Sequence, residues 1–173
     1  MTQAWWEKTI VYQVYPKSFK DSNNDGIGDL QGLISSLDYI KDLGAETIWL
    51  NPIFISPQID NGYDISNYYA IDDIFGDLSD LEELIEEAHK RELKIMLDLV
   101  LNHTSSRHPW FQEALKGPNN LYRDYYLWED PQADGSLPNN WESFFGGSVW
   151  EKDPRGSQYY FHLLDKEMPD LNW

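Results

Sequence analysis

The sequence contains no cysteine among its 173 residues. Without thiols the chain can form no disulfide bond, and thiolate-ligated metal sites are excluded as well. A chain of this kind is consistent with a reducing compartment. A metal site in this protein would have to use oxygen or histidine ligands.

Long apolar runs are also missing. The longest, around Ile95–Leu101, is interrupted by Asp98 and is far shorter than the roughly 20 residues that span a bilayer. The first nine residues, MTQAWWEKT, lack the apolar centre of a signal peptide. We therefore expect no membrane association, and we predict a cytoplasmic location.

Basic residues are scarce: 13 Lys and Arg stand against 30 Asp and Glu, which gives a formal net charge of -17. Such a chain repels the phosphates of nucleic acids and of anionic membranes, so neither is predicted as a partner. Its carboxylates do suit a hard cation such as calcium. Phosphate-binding loops, dinucleotide-binding glycine patterns and nucleophile elbows are also lacking.

Aromatic residues are abundant, at 15% of the chain with 8 Trp and 11 Tyr. Both side chains combine a flat apolar face with a polar edge. Sugars present flat C–H faces rimmed by hydroxyl groups, so this composition suits carbohydrate binding. An aromatic-rich core is the equally open alternative.

Strand patterns recur over residues 1–104. Apolar or β-branched segments predict strands at Ile10–Tyr15, Thr47–Leu50 and Lys94–Leu101. Apolar strands of this kind are typical of an α/β protein whose parallel sheet is covered on both faces. Three strands are too few for a (β/α)8 barrel, which needs roughly 250 residues, so the alternation is that of an unfinished barrel.

Helical patterns lie between these strands. Leucines and isoleucines at helical spacing predict a first helix over 30–43, with Gly44 as its stop. Ser79 with Glu82 resembles a capping box that opens a second helix. After His103 the pattern changes to short β-like runs among prolines and clustered aromatics, which predicts a small irregular domain over 105–173 inserted after the third strand.

The segment Asp21–Asp29, DSNNDGIGD, carries oxygen-bearing side chains at alternate positions and glycine at the sixth place. This is the beginning of an EF-hand-like calcium loop, although the twelfth position is Gly32 and not glutamate. An ordinary Asn/Asp/Gly turn is the alternative. The predicted calcium ligands are four side chains and the backbone carbonyl of Ile27: Asp21, Asn23, Asp25, Ile27 and Asp29.

Two further segments carry polar groups where β/α proteins place their sites. Asp98 and His103 lie at the end of the third strand, and the carboxyl ends of such strands carry active sites. Asp60 and Tyr63 belong to a DNGYD segment within a long irregular stretch after the second strand. A structural aspartate and a plain type I′ turn are the respective alternatives.

Taken together and in order, these segments resemble the α-amylase superfamily, and in particular its oligo-1,6-glucosidase and α-glucosidase branch. The resemblance covers essentially the whole chain. Its motifs are WWEKTIVYQVYPKSF at 5–19, DSNNDGIGDLQGL at 21–33, DNGYDISNY at 60–68, DLVLNHTS at 98–105, NNWESFFGGSVW at 139–150 and MPDLNW at 168–173.

The resemblance implies the N-terminal part of a (β/α)8 barrel with an inserted domain B, and it implies roles for single residues. Asp60 would bind the terminal glucose and Tyr63 would stack on it. Asp98 and His103 would line the same subsite, and Phe145 would close it from the inserted domain. The DSNNDGIGD loop would hold a structural calcium ion.

Two positions depart from the family pattern. Met168 stands where the family usually has glutamine, and Leu164 stands where phenylalanine is common. Both lie in the segment that returns to the pocket, so linkage and chain-length preference stay open. Trehalose-6-phosphate hydrolases share most of these motifs and are an alternative, as is a sugar-binding relative without activity.

Retaining glycosidases need two carboxyl groups roughly 5 Å apart. The resemblance implies a nucleophilic aspartate near the end of the fourth barrel strand and an acid/base glutamate after the fifth. Trp173 ends the chain before either strand. We therefore expect no catalytic residue in this chain, and no hydrolysis by it alone. The oligomeric state is not predicted.

Overall fold

The structure is a computed structural model that describes residues 4–173. The chain forms two compact units. The first contains residues 4–55 together with Tyr69–Leu99, and the second contains Ser56–Tyr68 and Val100–Trp173. The loop 56–68 therefore belongs with the second unit, whereas the sequence predicts one boundary at residue 104.

Residues 4–173 form fifteen elements, of which two are short 3-10 turns at Trp5–Glu7 and Arg123–Tyr125. The strands are β1 Val11–Val14, β2 Thr47–Leu50, β3 Phe54–Ile55, β4 Asn67–Ile71, β5 Lys94–Leu97, β6 Trp128–Glu129, β7 Trp150–Lys152 and β8 Tyr159–Phe161. The helices are α1 Pro16–Phe19, α2 Leu30–Ile34, α3 Leu37–Asp42, α4 Leu78–Lys90 and α5 Pro109–Ala114.

The first unit is built on a parallel sheet in the order β1-β2-β5. Ile48 of the central strand lies beside Tyr12 on one side and Ile95 on the other. The three predicted strands are thus confirmed, although β5 ends at Leu97 and not at Leu101. The stretch expected to be irregular contains the short pair β3 and β4.

The predicted helix over 30–43 is wrong in one respect, because two helices replace it. The break falls at Ser35 and Ser36, whose hydroxyl groups both donate to the carbonyl of Gly32, at 2.7 and 3.0 Å. Serine side chains compete in this way with the helix's own hydrogen bonds. A hydrophobic pattern does not reveal that competition.

The capping box of α4 lies two residues earlier than the sequence predicts. Asp77, and not Ser79, is the N-cap, and its carboxylate accepts from the backbone N–H groups of Ser79 and Asp80. The Asp80 carboxylate accepts in return from the Asp77 N–H at 2.9 Å. An aspartate at the cap satisfies the free N–H groups as serine would, and it also complements the helix dipole.

The second unit carries a small antiparallel sheet in the order β6-β8-β7. Its core is aromatic: Phe111 of α5 packs edge-on against Tyr126 and Tyr160, with ring centroids 5.0 Å apart in each case. Phe111 also lies parallel to the ring of Trp128. Such ring pairs stabilise beyond the area they bury.

Among residues 4–173, no helix is both long and apolar enough to cross a membrane.

Candidate functional site

Asp60 and Tyr63 are the two ends of a tight turn. The central residues, Asn61 and Gly62, have φ of 52° and 102°, and the Tyr63 N–H donates to the Asp60 carbonyl at 3.0 Å. Positive φ at both central positions is the signature of a type I′ turn, for which Asn-Gly is the favoured pair. The turn holds the carboxylate of Asp60 and the ring of Tyr63 on neighbouring ends of one rigid loop.

The buried carboxylate of Asp64 fixes this loop. It accepts from the Ser56 hydroxyl at 2.8 Å and from the backbone N–H groups of Ile59 and Asp60, both at 3.0 Å. A buried charge is tolerated when it receives several hydrogen bonds in this way. Sequence reasoning did not single out Asp64, although its position at the end of the DNGYD segment was available as a signal.

His103 is bound to the same turn. It is 3% exposed, and its Nε2 lies 3.0 Å from the carbonyl oxygen of Tyr63. A carbonyl can only accept, so Nε2 donates there, while Nδ1 accepts from the side-chain amide of Asn102 at 3.3 Å. Both ring nitrogens are thus engaged, and donation to a sugar hydroxyl requires the imidazole to exchange its bond to Tyr63.

Asp60 lies in an environment that disfavours its charge. Burial raises the pKa of its carboxyl group, and the negative charges of Asp64 and Asp165 add to that rise, whereas His103 opposes it. Asp60, His103 and Asp165 all belong to the second unit. A half-buried carboxylate of this kind is well suited to accept hydrogen bonds from sugar hydroxyl groups.

The segment around Asp170, near the end of the chain, contacts His103 and its neighbour Asn102. Residues His103 and Asp170 face each other in an isolated antiparallel bridge. The Asp170 carboxylate accepts from the N–H of Leu163 at 3.1 Å and from the side chain of Asn102. Burial raises the pKa of Asp170. The sequence placed this segment at the pocket but gave Asp170 no role of its own.

Phe145 lies at the tip of a short hairpin and is 59% exposed. Its N–H donates to the Ser143 hydroxyl at 3.1 Å, and that hydroxyl donates to the carbonyl of Leu164. Phe145 and Asp165 line one cavity of about 260 Å³. The negative charge of Asp165 also contributes to the raised pKa of Asp60.

Asp98 belongs to the first unit. It follows Leu97, the last residue of β5, and its N–H donates to the carbonyl of Leu50 at 3.2 Å. Its half-buried side chain therefore lies at the carboxyl end of the parallel strands, where β/α proteins place their sites. Of the five predicted sugar-binding residues, Asp60, Tyr63 and His103 are held together within the second unit.

The loop Asp21–Asp29 folds back on its own side chains. Asp21 accepts from three backbone N–H groups, including that of Gly26 at 2.8 Å, and this bond is the main reason why the pKa of Asp21 is lowered. Asn23 and Asp25 each accept from the N–H two residues later. A carboxylate has about four acceptor positions, so these oxygens keep lone pairs for a cation.

Asp29 differs from the other predicted ligands because it caps α2. One of its oxygens accepts from the Gly32 N–H at 2.6 Å, and the other accepts from the N–H and hydroxyl of Ser22. Within residues 4–173 no three His, Cys, Asp or Glu side chains are grouped so that they could hold a metal ion. The predicted set also depends on an asparagine amide and the Ile27 carbonyl, which are oxygen donors of another kind.

Comparison with known proteins identifies relatives of this chain. The family model described as alpha amylase, catalytic domain, matches residues 13–173. An oligo-1,6-glucosidase of Heyndrickxia coagulans and a trehalose-6-phosphate hydrolase of Bacillus subtilis (strain 168) are each 55% identical over 169 residues. Each match covers 98% of this chain and 30% of the relative.

A solved structure agrees with these matches. The crystal structure of Bacillus licheniformis trehalose-6-phosphate hydrolase is 57% identical and superposes with a TM-score of 0.95, over 99% of this chain and 31% of that one. The three parallel strands are therefore the first three β/α units of a (β/α)8 barrel, followed by its inserted domain. The chain, which spans about a third of the length of these relatives, belongs to the alpha-amylase catalytic-domain family.

Proposed function

We propose that this chain supplies part of the glucose pocket of a retaining α-glucosidase that removes terminal α-linked glucose from short oligosaccharides. The observation that carries the proposal is the cluster of Asp60, Tyr63 and His103, which one turn and one buried carboxylate hold in place. An acceptor beside an aromatic ring matches the polar rim and flat face of a pyranose. The similarity to oligo-1,6-glucosidases supports this substrate class.

The proposed residues bind and orient, and they do not cleave. Asp60 accepts from hydroxyl groups of the terminal glucose, Tyr63 packs on its face, and His103 completes the polar rim within the second unit. Asp98, at the end of β5 in the first unit, is proposed as a further sugar-binding residue. Phe145 excludes water at the entrance. The nucleophile and the acid/base come from the fourth and fifth strands of the barrel, so the 173-residue chain on its own is expected to leave substrates intact.

A trehalose-6-phosphate hydrolase is the second candidate, because a relative of that name is as similar to this chain as the oligo-1,6-glucosidases are. The two functions differ in the charge of the sugar beside the terminal glucose. Calorimetric titration of the purified chain with isomaltose and with trehalose 6-phosphate compares them. Tighter binding of isomaltose supports the α-glucosidase, and tighter binding of the phosphorylated sugar supports the alternative.

The Asp60→Asn variant tests the pocket itself. It keeps the size of the side chain but removes its charge, and hydrogen bonds to charged groups contribute about 1.5–3 kcal/mol, so isomaltose should bind about tenfold more weakly or worse. Asp134→Asn, in an exposed loop of the same unit, is the matched control. Equal affinity of Asp60→Asn and the parent would refute the pocket. Release of nitrophenolate from p-nitrophenyl α-glucoside by the chain would refute the proposal that the chain lacks the nucleophile and the acid/base.

We also propose that the Asp21–Asp29 loop binds calcium as a structural ion. Its donors are all oxygen, which a hard cation prefers, and its carboxylates already curl towards the loop's own backbone. Asp21, Asn23, Asp25 and the Ile27 carbonyl would hold the ion, with Asp29 joining them while it caps α2. The ion would fix the connection between β1 and α2.

Thermal unfolding with and without calcium tests this second proposal. An ion at a hundred times its Kd stabilises the folded state by about 2.7 kcal/mol, so EDTA should lower Tm by several degrees and calcium should restore it. Asp25→Ala should abolish the response, whereas Asp134→Ala should keep it. A Tm that is indifferent to calcium in the parent chain would show that the loop is an ordinary turn.

A further inference from the structure

The second unit contains a groove that the proposed glucose pocket does not use. Its volume is about 470 Å³, within the range of about 300–1,000 Å³ typical of small-molecule sites. Trp141, Phe161 and Asn139 are among its lining residues, and so are the carboxylates of Glu129 and Asp130. None of Asp60, Tyr63, His103 and Phe145 contributes to it.

Trp141 is the accessible aromatic surface of this groove. Trp141 is 61% exposed, and its ring meets that of Phe161 edge-on, at 6.4 Å between ring centroids. Trp128, by contrast, has its ring covered by the guanidinium of Arg123 at 3.3 Å. The exposed face of the Trp141 ring is available for stacking on a flat apolar surface of a ligand.

The backbone holds Trp141 in a defined position. Its N–H donates to the side-chain oxygen of Asn139 at 3.0 Å, and its carbonyl accepts from the N–H of Val149 at 3.2 Å. The same oxygen of Asn139 accepts from the indole N–H of Trp150 at 2.9 Å. The platform is therefore preorganised, which lowers the entropy cost of binding.

Polar groups with free capacity surround the platform. Within residues 4–173 the side-chain nitrogen of Asn139 donates no hydrogen bond to the protein, so its two N–H groups remain for a ligand. Glu129 and Asp130 are exposed and take part in no ion pair of the same range. The amide of Asn139 can donate to hydroxyl oxygens of a sugar, and the carboxylates of Glu129 and Asp130 can accept from its hydroxyl groups, beside one aromatic face.

The charge of the groove narrows the choice of ligand. Two carboxylates and no lysine, arginine or histidine are among its lining residues. Phosphorylated sugars and other anions are therefore repelled, while a neutral polyol can donate its hydroxyls to both carboxylates. The groove adjoins the cavity of Phe145 at Trp150, which lines both, while Phe161 lines the groove and His162 lines the cavity.

We propose that this groove is a second carbohydrate-binding site, which holds one or two glucosyl residues of a neutral α-glucan on Trp141 without taking part in catalysis. The inference relies on the proposed function only for the choice of glucose as the sugar. It assigns to the inserted domain a role in retaining oligosaccharides near the enzyme.

Calorimetric titration with isomaltotriose tests the site. Trp141→Ala should weaken binding at this site about tenfold, equivalent to about 1.4 kcal/mol. Trp141→Phe should keep most of the affinity because it keeps an aromatic face. Trp6→Ala is the matched control, since Trp6 is an exposed tryptophan of the first unit that also makes an edge contact, with Trp5.

Asn139→Asp provides a second variant that leaves the fold in place. Its oxygen still accepts from Trp141 and Trp150, but the two N–H donors are lost, so binding should weaken while the urea midpoint stays unchanged. If both variants bind isomaltotriose as the parent does, the site does not exist. If Trp141→Ala instead dissociates an oligomer in sedimentation, the groove is a protein interface and the proposal is wrong.

The pocket variant Asp60→Asn separates this inference from the proposed function. If only Asp60→Asn weakens sugar binding, the glucose pocket is supported and the groove site is refuted. If only Trp141→Ala weakens it, the groove site is supported and the glucose pocket is refuted. If each variant weakens binding independently of the other, both sites are supported.

Discussion

The two units of this chain are stabilised by different kinds of contact. The core of the first unit is mostly aliphatic, with Leu30, Leu33, Ile40, Ile48 and Leu84 fully buried around the parallel strands. The core of the second unit is a small cluster of rings around Phe111, beside buried polar groups. Non-directional burial thus dominates in one unit and directed contacts in the other.

The buried ion pair of the second unit shows this difference most clearly. Arg123 donates to the Asp153 carboxylate at 3.0 Å, to the carbonyl of Ala114 and to Gln158, and its guanidinium lies over Trp128. Arg123 Nε is buried without a hydrogen-bond partner in the described part of the chain. Short strands and irregular loops leave many polar groups inside, so this unit depends on pairing them.

The largest effect we expect comes from breaking this pair. Asp153→Ala leaves the charge of Arg123 buried and uncompensated, which should lower the free energy of unfolding by about 3–5 kcal/mol. Urea denaturation measures the loss, and hydrogen exchange at Tyr159–Phe161 locates it in the second unit. Asp38→Ala, which breaks the exposed pair with Arg91, is the control and should have little effect. Equal losses in the two variants would remove the distinction between the units.

A core truncation in the first unit should come next. Leu84→Ala in α4 empties a fully buried position and should cost about 2–5 kcal/mol through lost burial and the cavity that remains. Leu43→Ala, at an exposed leucine of the same unit, is the matched control. Faster exchange of the Ile48 amide should accompany Leu84→Ala, and an unchanged exchange rate would contradict an aliphatic core that holds the sheet.

A single directed contact in the second unit should cost less. The buried hydroxyl of Tyr126 lies 2.8 Å from the Thr104 hydroxyl, and burial raises the pKa of Tyr126. Tyr126→Phe removes this hydrogen bond and should lower stability by about 1 kcal/mol. Phe111→Leu, which disturbs ring packing without breaking a hydrogen bond, is the comparison. If Tyr126→Phe left the free energy of unfolding unchanged, packing of the aromatic rings alone would account for the stability of this unit.

The smallest effect is a pH dependence at Asp170. Because burial raises its pKa above the usual value, the stability it contributes is fully present below the usual Asp pKa of about 3.9 and is lost as pH rises through the raised value. Asp170→Asn does not ionise, so it should lose less stability than the parent between about pH 3 and pH 6.

Asp134→Asn supplies the opposite sign for that experiment. Hydrogen bonds from Ser136 lower the pKa of Asp134, so its contribution is present above the usual pKa and is lost as pH falls. Tm profiles of both variants across this pH range measure the two trends. If Tm changed with pH in the same way in the parent and in Asp170→Asn, ionisation of the buried Asp170 carboxyl group would not reduce the stability of the folded state.

The first unit could be predicted from sequence because its signals are periodic. Apolar runs gave the three strands, and helical spacing gave the helices on either side of β2. The errors in the prediction of this unit were local. The hydroxyls of Ser35 and Ser36 divide one helix, and the carboxylate of Asp77 replaces Ser79 as a cap. Side-chain to backbone hydrogen bonds decide such details, and hydrophobic patterns do not contain them.

The candidate site was predictable only in part. The Asn-Gly pair predicts the turn between Asp60 and Tyr63, because few other pairs adopt two positive φ values readily. The family resemblance supplied their roles, which the turn chemistry alone could not. The link from His103 to the Tyr63 carbonyl joins residues 40 apart, and nothing in the local sequence encodes it. The anchoring by Asp64 is local, since its partners lie within eight residues of it, but hydrophobic patterns do not reveal such hydrogen bonds.

The position of β5 at one end of the parallel sheet has a practical consequence for handling this chain. Met96, Leu97 and Leu99 are exposed along or just after it, and an apolar strand edge of this kind is a template for pairing with another molecule. We therefore expect self-association through this edge to rise with protein concentration and during refolding. Dilute samples are therefore the right starting point for every measurement above.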